Sequence, residues 1–270
     1  MIRWLCFLAL LTIAAGSVAQ ARAHDIDLGG RLAEDGKLTV GVALTGRPFA
    51  YRRDGRLLGF EIELAAAVAR SRGLEVNLVQ LPRWRLAAAL AAGEVDLVNT
   101  FGFKDAVPEG VATVPYMRVG DHMMVLKENP FRIRDTADLA GHTVAATAGT
   151  SAEAFAREIN QDLIAEGRRP MHIHTFPNQR DTHIPVSMGH AAAYFVQSAS
   201  ALVPTLDPDS RVRLFEGVFR PGREVGFGIR AEDRDLRDAV AHAIAANVAN
   251  GSYDGLRAKH GIPDDFSPFR

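Results

Sequence analysis

Alternating strand and helix signals predict an α/β fold for this chain of 270 residues. Three observations carry that expectation. The stretch from Leu38 to Arg70 reads as strand, polar loop, turn and amphipathic helix. Short apolar strands and helix-period segments then follow one another along the rest of the chain. An apolar fraction of 47% is ordinary for a globular protein, and the length suits one large or two small domains.

In the opening unit, Leu38, Val40 and Val42 alternate with smaller or more polar neighbours, as a strand requires. Gly46 and Pro48 break the strand, and Asp54-Gly55 is a turn pair. Glu61 and Glu63 fall in a helix's first turn, where negative charge suits the dipole. Leu64 and Val68 share one face, and Gly73 offers the stop. In an open α/β sheet, ligands bind at the carboxyl ends of strands. The loop there holds Arg47, Phe49 and Tyr51. Phe49 reads equally as a ligand wall or as plain core.

Residues 1–23 read as a signal peptide: Arg3 in front, a short apolar run from Leu5 to Ala15, and an Ala21-Arg22-Ala23 cleavage site. The expected location is therefore periplasmic. Cys6 is the only cysteine, so the mature chain has no disulfide and no thiolate chemistry. A net charge of −1 gives no pointer to nucleic acid.

Further along, residues 76–80 read as a strand. Pro82-Arg83-Trp84-Arg85 leads into a helix over 86–92, with Gly93 as its stop, and residues 94–98 form the next strand. Arg85 is open to two readings, pointing into a cleft or lying on the helix surface. Residues 122–126 and 143–147 read as strands. Ala148-Gly149-Thr150-Ser151 then opens a helix with Phe155, Ile159 and Leu163 four apart, and Thr150 and Glu153 have capping-box spacing. His172 and His174 share one strand face, which reads as solvated rather than metal-binding. Residues 182–188 read as a helix, 191–196 as a strand, and 212–215 and 226–229 as returning strands. Asp233 caps a helix carrying Leu236, Val240, Ile244 and Val248.

Several phrases occur in a telling order: V-G…P-F-x-Y…D-G-x-L-x-G-F-E-x-E-L, then A-L-x-x-G-E-V-D-L, V-P-Y, I-x-x-x-x-D-L-x-G, G-T-S and G-S-Y. Together they resemble the family 3 periplasmic solute-binding proteins, the amino acid-type receptors of ABC importers, over roughly residues 37–262. The resemblance implies a type II periplasmic binding fold with the ligand between two lobes, each a mostly parallel sheet flanked by helices. Residues 24–120 plus 222–270 would form one lobe and 125–216 the other, with crossovers near 120–125 and 216–222. It further implies a monomer that closes on its solute and engages an inner-membrane permease. No catalytic residue, metal or cofactor is assigned.

The family's glycine-threonine turn contacts ligand, which gives Thr150 and Ser151 a double role as cap and binder. The chain departs from the family at both charge anchors of an α-amino acid. No arginine lies between Leu86 and Met117, where only Lys104 is basic. The strand after residue 191 ends on Gln197, where amino acid receptors carry an aspartate. Phe101 and Phe103 stand where small polar residues are commoner. The expected solute is therefore small and polar or amphipathic, and not a standard α-amino acid. The candidate site is Phe49, Tyr51, Arg85, Thr100, Phe101, Lys104, Thr150, Ser151 and Gln197. Phe49 and Phe101 would sandwich an apolar part, Lys104 and Arg85 would balance an anion, and Gln197 would take a polar end.

Two alternatives share the scaffold. One is a ligand-binding accessory or sensor component, for example beside a periplasmic quinoprotein dehydrogenase. The other is a cyclohexadienyl dehydratase-like enzyme, whose proton donor follows the glycine-threonine turn. Here Ala152 holds the matching position and Glu153 lies one residue later.

Overall fold

In a computed structural model of the chain, residues 32–99 and 107–269 are described. The expected signal peptide, and Thr100, Phe101 and Lys104, lie outside them. Among the described residues ten strands and eight helices are interspersed along the chain. The strands are β1 Lys37–Val42, β2 Tyr51–Arg53, β3 Arg56–Leu58, β4 Glu75–Gln80, β5 Leu97–Asn99, β6 Val111–Leu126, β7 Thr143–Thr147, β8 His172–Phe176, β9 Ala193–Gln197 and β10 Val212–Arg230. The helices are α1 Phe60–Ser71, α2 Leu86–Ala91, α3 Ser151–Ala165, α4 Gln179–Thr182, α5 Ile184–Ser187, α6 Ser198–Thr205, α7 Arg234–Ala249 and α8 Ser252–Lys259. Among the described residues no helix is long and apolar enough to cross a membrane.

Eight strands share one sheet in the order β4-β1-β5-β10-β6-β9-β7-β8. At one end β1 pairs in parallel with β4 and β5; at the other β7 pairs in parallel with β8 and β9. The antiparallel pair β6 and β10 runs through both halves. Each half has its own buried core. Leu38, Val40, Phe60, Leu64, Tyr116 and Phe227 belong to the first. In the second, β9 alternates: Ala193 and Phe195 face one cluster, Tyr194 and Val196 the other, as a pleated strand covered on both faces must.

The structure corrects several boundaries. The short strands expected at 122–126, 212–215 and 226–229 are parts of the two long strands β6 and β10. Pro115, Gly217, Pro221 and Gly222 read as breakers in the sequence. The antiparallel pair absorbs them through register shifts between Leu214 and Phe219, Pro221 and Arg223, and Val225 and Gly226. The strand expected from Glu94 begins only at Leu97. Asp96 instead accepts the Ala33 and Thr39 amides at 2.8 and 2.7 Å, so its segment ties the edge of β1. The helix expected over 182–188 is two short ones, α4 and α5, meeting at His183. Helix α6 was not anticipated.

Candidate functional site

Where β6 and β10 pass between the two halves, a cleft of about 690 Å³ opens. Thr45 and Arg83 line it from the first half, and Ser151, Gln197 and Ser198 from the second. Gly120, Asp121, Arg220 and Arg223 line it from the long strands between them.

Asp121 is the centre of this cleft. It is 2% exposed and stands opposite Gln197 in the β6–β9 ladder. The Ser151 hydroxyl donates to its Oδ1 at 2.7 Å, and Gln197 Nε2 donates to the Ser151 Oγ at 3.1 Å. Arg220 donates to Asp121 Oδ2 from Nη2 at 2.9 Å, and to the Ser151 carbonyl at 2.7 Å. The same guanidinium reaches Glu158 at 2.6 Å and lies over the Phe155 ring, 5.4 Å from its centroid. Arg220 of β10 is thereby clamped to α3, and the buried carboxylate is paired with a cation and a hydroxyl.

Beside it, the Ser198 hydroxyl donates to the Gly120 carbonyl at 3.0 Å and accepts the Gly120 amide at 2.8 Å. Its one proton is used, so His122, 2.9 Å away, must donate Nε2–H to Ser198 Oγ. Burial pulls the His122 pKa down to about 4, which keeps the ring neutral.

On the other wall, a second buried carboxylate sets the loop after β1. Glu61, 2% exposed, accepts from the Tyr116 hydroxyl, from Asn99 Nδ2 at 3.0 Å and from Thr45 Oγ1 at 3.1 Å. Asn99 also exchanges both its amide bonds with the Ala43 backbone, each at 2.9 Å. Burial raises the Glu61 pKa, and its three donors oppose that rise. Thr45 therefore reaches the cleft from a position fixed by the end of β5.

The predicted site residues separate into groups. Ser151 and Gln197 meet in the cleft. Thr150 sits behind them as the N-cap of α3: its Oγ1 accepts the Glu153 amide at 3.3 Å and donates to the Thr147 carbonyl at 2.7 Å. Phe49 is a correction. It is wholly buried in the first core, so it packs the sheet and offers no face to the cleft. Tyr51 lines a different hollow, with Arg47 5.5 Å over its ring. Arg85 lies on the surface in an ion pair with Glu94 at 2.5 Å, and Arg83 takes the cleft position instead. A half-exposed pair of this kind contributes about 0–1 kcal/mol. Arg85→Ala is expected to leave both the melting temperature and solute affinity essentially unchanged, checked by calorimetry of the two forms.

Asp121, Arg220, Ser198 and Arg83 escaped the sequence reading. Their one signal was charge placed against pattern: an acid heading the apolar run His122–Leu126, and arginines flanking Pro221-Gly222. Glu153, the residue nearest a dehydratase's proton donor, accepts the Gly149 amide at 2.7 Å and pairs with Arg157 at 2.6 Å. Both hold its carboxyl below the usual range, the reverse of what a general acid needs. His172 and His174 are exposed on β8, at the sheet edge.

Two α/β halves joined by paired long strands, with a polar cleft at the join, define a two-lobed binding protein of the type II periplasmic class. The chain belongs to the bacterial extracellular solute-binding proteins, family 3, whose model matches residues 38–262. It is 27% identical to the L-cystine-binding protein TcyJ of Escherichia coli over 232 residues, 85% of this chain and 84% of that one. It is 25% identical to the histidine-binding periplasmic protein of Salmonella typhimurium over 234 residues, 83% of this chain and 87% of that one. Among solved structures, the unliganded open L-cystine solute receptor of Neisseria gonorrhoeae shares the fold. Its TM-score is 0.67 at 21% identity, over 85% of this chain and 94% of that one.

Proposed function

We propose that this protein is the periplasmic receptor of an ABC importer and that it captures a small solute carrying an anionic group rather than an amino acid zwitterion. Lobes of 24–120 plus 222–270 and of 125–216 would close on that solute by bending β6 and β10 near 120–125 and 216–222. Closure is favoured only by the extra contacts that the solute makes in the closed form.

One observation carries the choice of solute. Asp121, the one carboxylate among the described cleft residues, is already occupied by Arg220 and Ser151. An incoming ammonium would meet a carboxylate whose charge Arg220 already balances, and would lie beside that like charge. Arg83, Arg220 and Arg223 leave the same lining with an excess of positive charge. Gln197 offers an amide and no charge. The start of α3 at Ser151 brings helix N-terminal amides to the cleft edge, which favours carboxylate or carbonyl oxygen. On the sequence alone, Thr100, Phe101 and Lys104 remain candidates for the wall that covers an apolar part of the solute. The relatives named for L-cystine and histidine support small-solute capture, and the periplasmic relative supports the location.

A thermal-shift panel of small carboxylates, phosphorylated metabolites and amino acids tests this. A ligand at 100 times its dissociation constant adds about 2.7 kcal/mol. For a chain of this size that raises the melting temperature by about 5–10 °C. The expected responder is an organic anion lacking an α-ammonium group. A response confined to L-histidine or L-cystine would overturn the solute class.

A further inference from the structure

A second pocket lies among residues 179–212, in the half that carries β9. The first residues of α6, Ser198 and Ala199, line the cleft, whereas its later residues Val203 and Pro204 line this pocket of about 490 Å³. Its floor is Tyr194 on β9. The residue is only 2% exposed, and its hydroxyl, which is not among the fully enclosed polar atoms without a partner, keeps contact with the pocket. A phenol whose body is buried and whose hydroxyl opens on a pocket can donate to whatever occupies that pocket. Here the ring packs in the second lobe's core while the residue forms part of the pocket wall.

The rim carries two arginines. Arg180 of α4 and Arg211, just before β10, both line the pocket, and neither pairs with a carboxylate among the described residues. Arg211 spends one Nη1–H on the Ser187 carbonyl at 2.8 Å, which leaves most of its fork available. Asp207 is the one acid among the described residues of the lining, and its Oδ1 accepts the Asp209 amide at 3.0 Å. Val203, 58% exposed, and Pro204 add apolar surface to the lining.

We propose that this pocket is a second small-molecule site, which takes a compact organic carboxylate with an apolar body. The carboxylate accepts from Tyr194 and from the arginine rim, and the apolar body covers Val203 and Pro204. The volume lies within the range of small-ligand sites, and a few convergent polar groups beside apolar walls are what such sites contain. The proposal does not depend on what the cleft binds.

The test uses 4-fluorobenzoate as the probe and fluorine NMR of the probe as the readout, on the full mature protein. Saturable binding below about 10 mM is expected, since one satisfied carboxylate and one apolar face give millimolar affinity or better. Tyr194→Phe and Arg211→Gln should each weaken it about tenfold or more. Ser151→Ala and Gln197→Ala, both in the cleft, should leave it unchanged. Tyr194→Phe should leave the melting temperature nearly unchanged, because the ring stays packed and only a hydroxyl in contact with the pocket is lost. Three results overturn the site: no saturation, loss of binding in the cleft variants with retention in Tyr194→Phe, or equal binding of neutral 4-fluorobenzyl alcohol.

Discussion

Gly59→Ala should destabilise the protein by more than about 4 kcal/mol, enough to lower the melting temperature by about 10 °C or to abolish soluble expression. Gly59 adopts φ +125° and ψ 173°, a region open in practice only to glycine. Space forbids a side chain as well as torsion. An added Cβ would overlap the Phe49 carbonyl oxygen, lie 2.6 Å from its carbon, and sit 2.9 Å from the Pro48 oxygen. These are backbone atoms held in place by bonds: Phe60 N–H donates to Pro48 at 2.9 Å, and Glu61 N–H to Phe49 at 3.1 Å. Relief would move α1 away from the loop and break the Glu61 network that fixes Thr45. Gly55 is the control. It has φ +76° with nothing within 4 Å of an added Cβ. Gly55→Ala should therefore cost only the left-handed penalty of about 1–2 kcal/mol. Thermal melts of both variants decide it, and equal small losses would show that the loop after β1 yields without strain.

Gly59 also shows why the first half of the fold was legible. The phrase G-F-E carries a positive-φ turn, a core aromatic and a buried acid in three consecutive residues, so local chemistry and tertiary role coincide. The same holds for Thr143–Thr147 and for the Thr150 cap, where period and capping chemistry both lie within a few residues. The cleft was harder to read because its members meet across the sheet. Asp121 and Arg220 are 99 positions apart, and only the antiparallel pairing of β6 with β10 makes them partners. Breakers inside β10 hid the strand that supplies that pairing. Phe49 failed as a ligand wall for a related reason. A loop aromatic reads alike whether it faces ligand or core, and burial decides which. Arg83 and Arg85 flank one residue of a short turn, so a small rotation settles which of them faces the cleft.

His122 makes the acid side of the stability profile specific. Its ring lies flat on Phe266, with centroids 4.8 Å apart and planes 12° apart, and it is 1% exposed. Burial lowers its pKa from 6.5 to about 4. The unfolded chain therefore takes up a proton near pH 6.5 that the folded chain refuses until about pH 4. Stability from this group is complete above pH 6.5. It is lost as pH falls towards 4, and it levels off below; the loss is about 3 kcal/mol. Glu61 acts in the opposite sense. Burial raises its folded pKa, so acid relieves the cost of keeping its charge buried and masks part of the His122 effect in a raw curve. Subtracting the curve of His122→Gln removes Glu61 and every other shared group. Urea unfolding of both forms at pH 7.5, 6.5, 5.5 and 4.5 should show the wild type losing stability relative to the variant across that window. Parallel curves would mean that the ring reaches water before it is protonated. Because the folded ring stays neutral until about pH 4 and keeps its bond to Ser198, a solute contacting Ser198 should hold its affinity across the same window, which separates a loss of global stability from a rearrangement of the cleft floor.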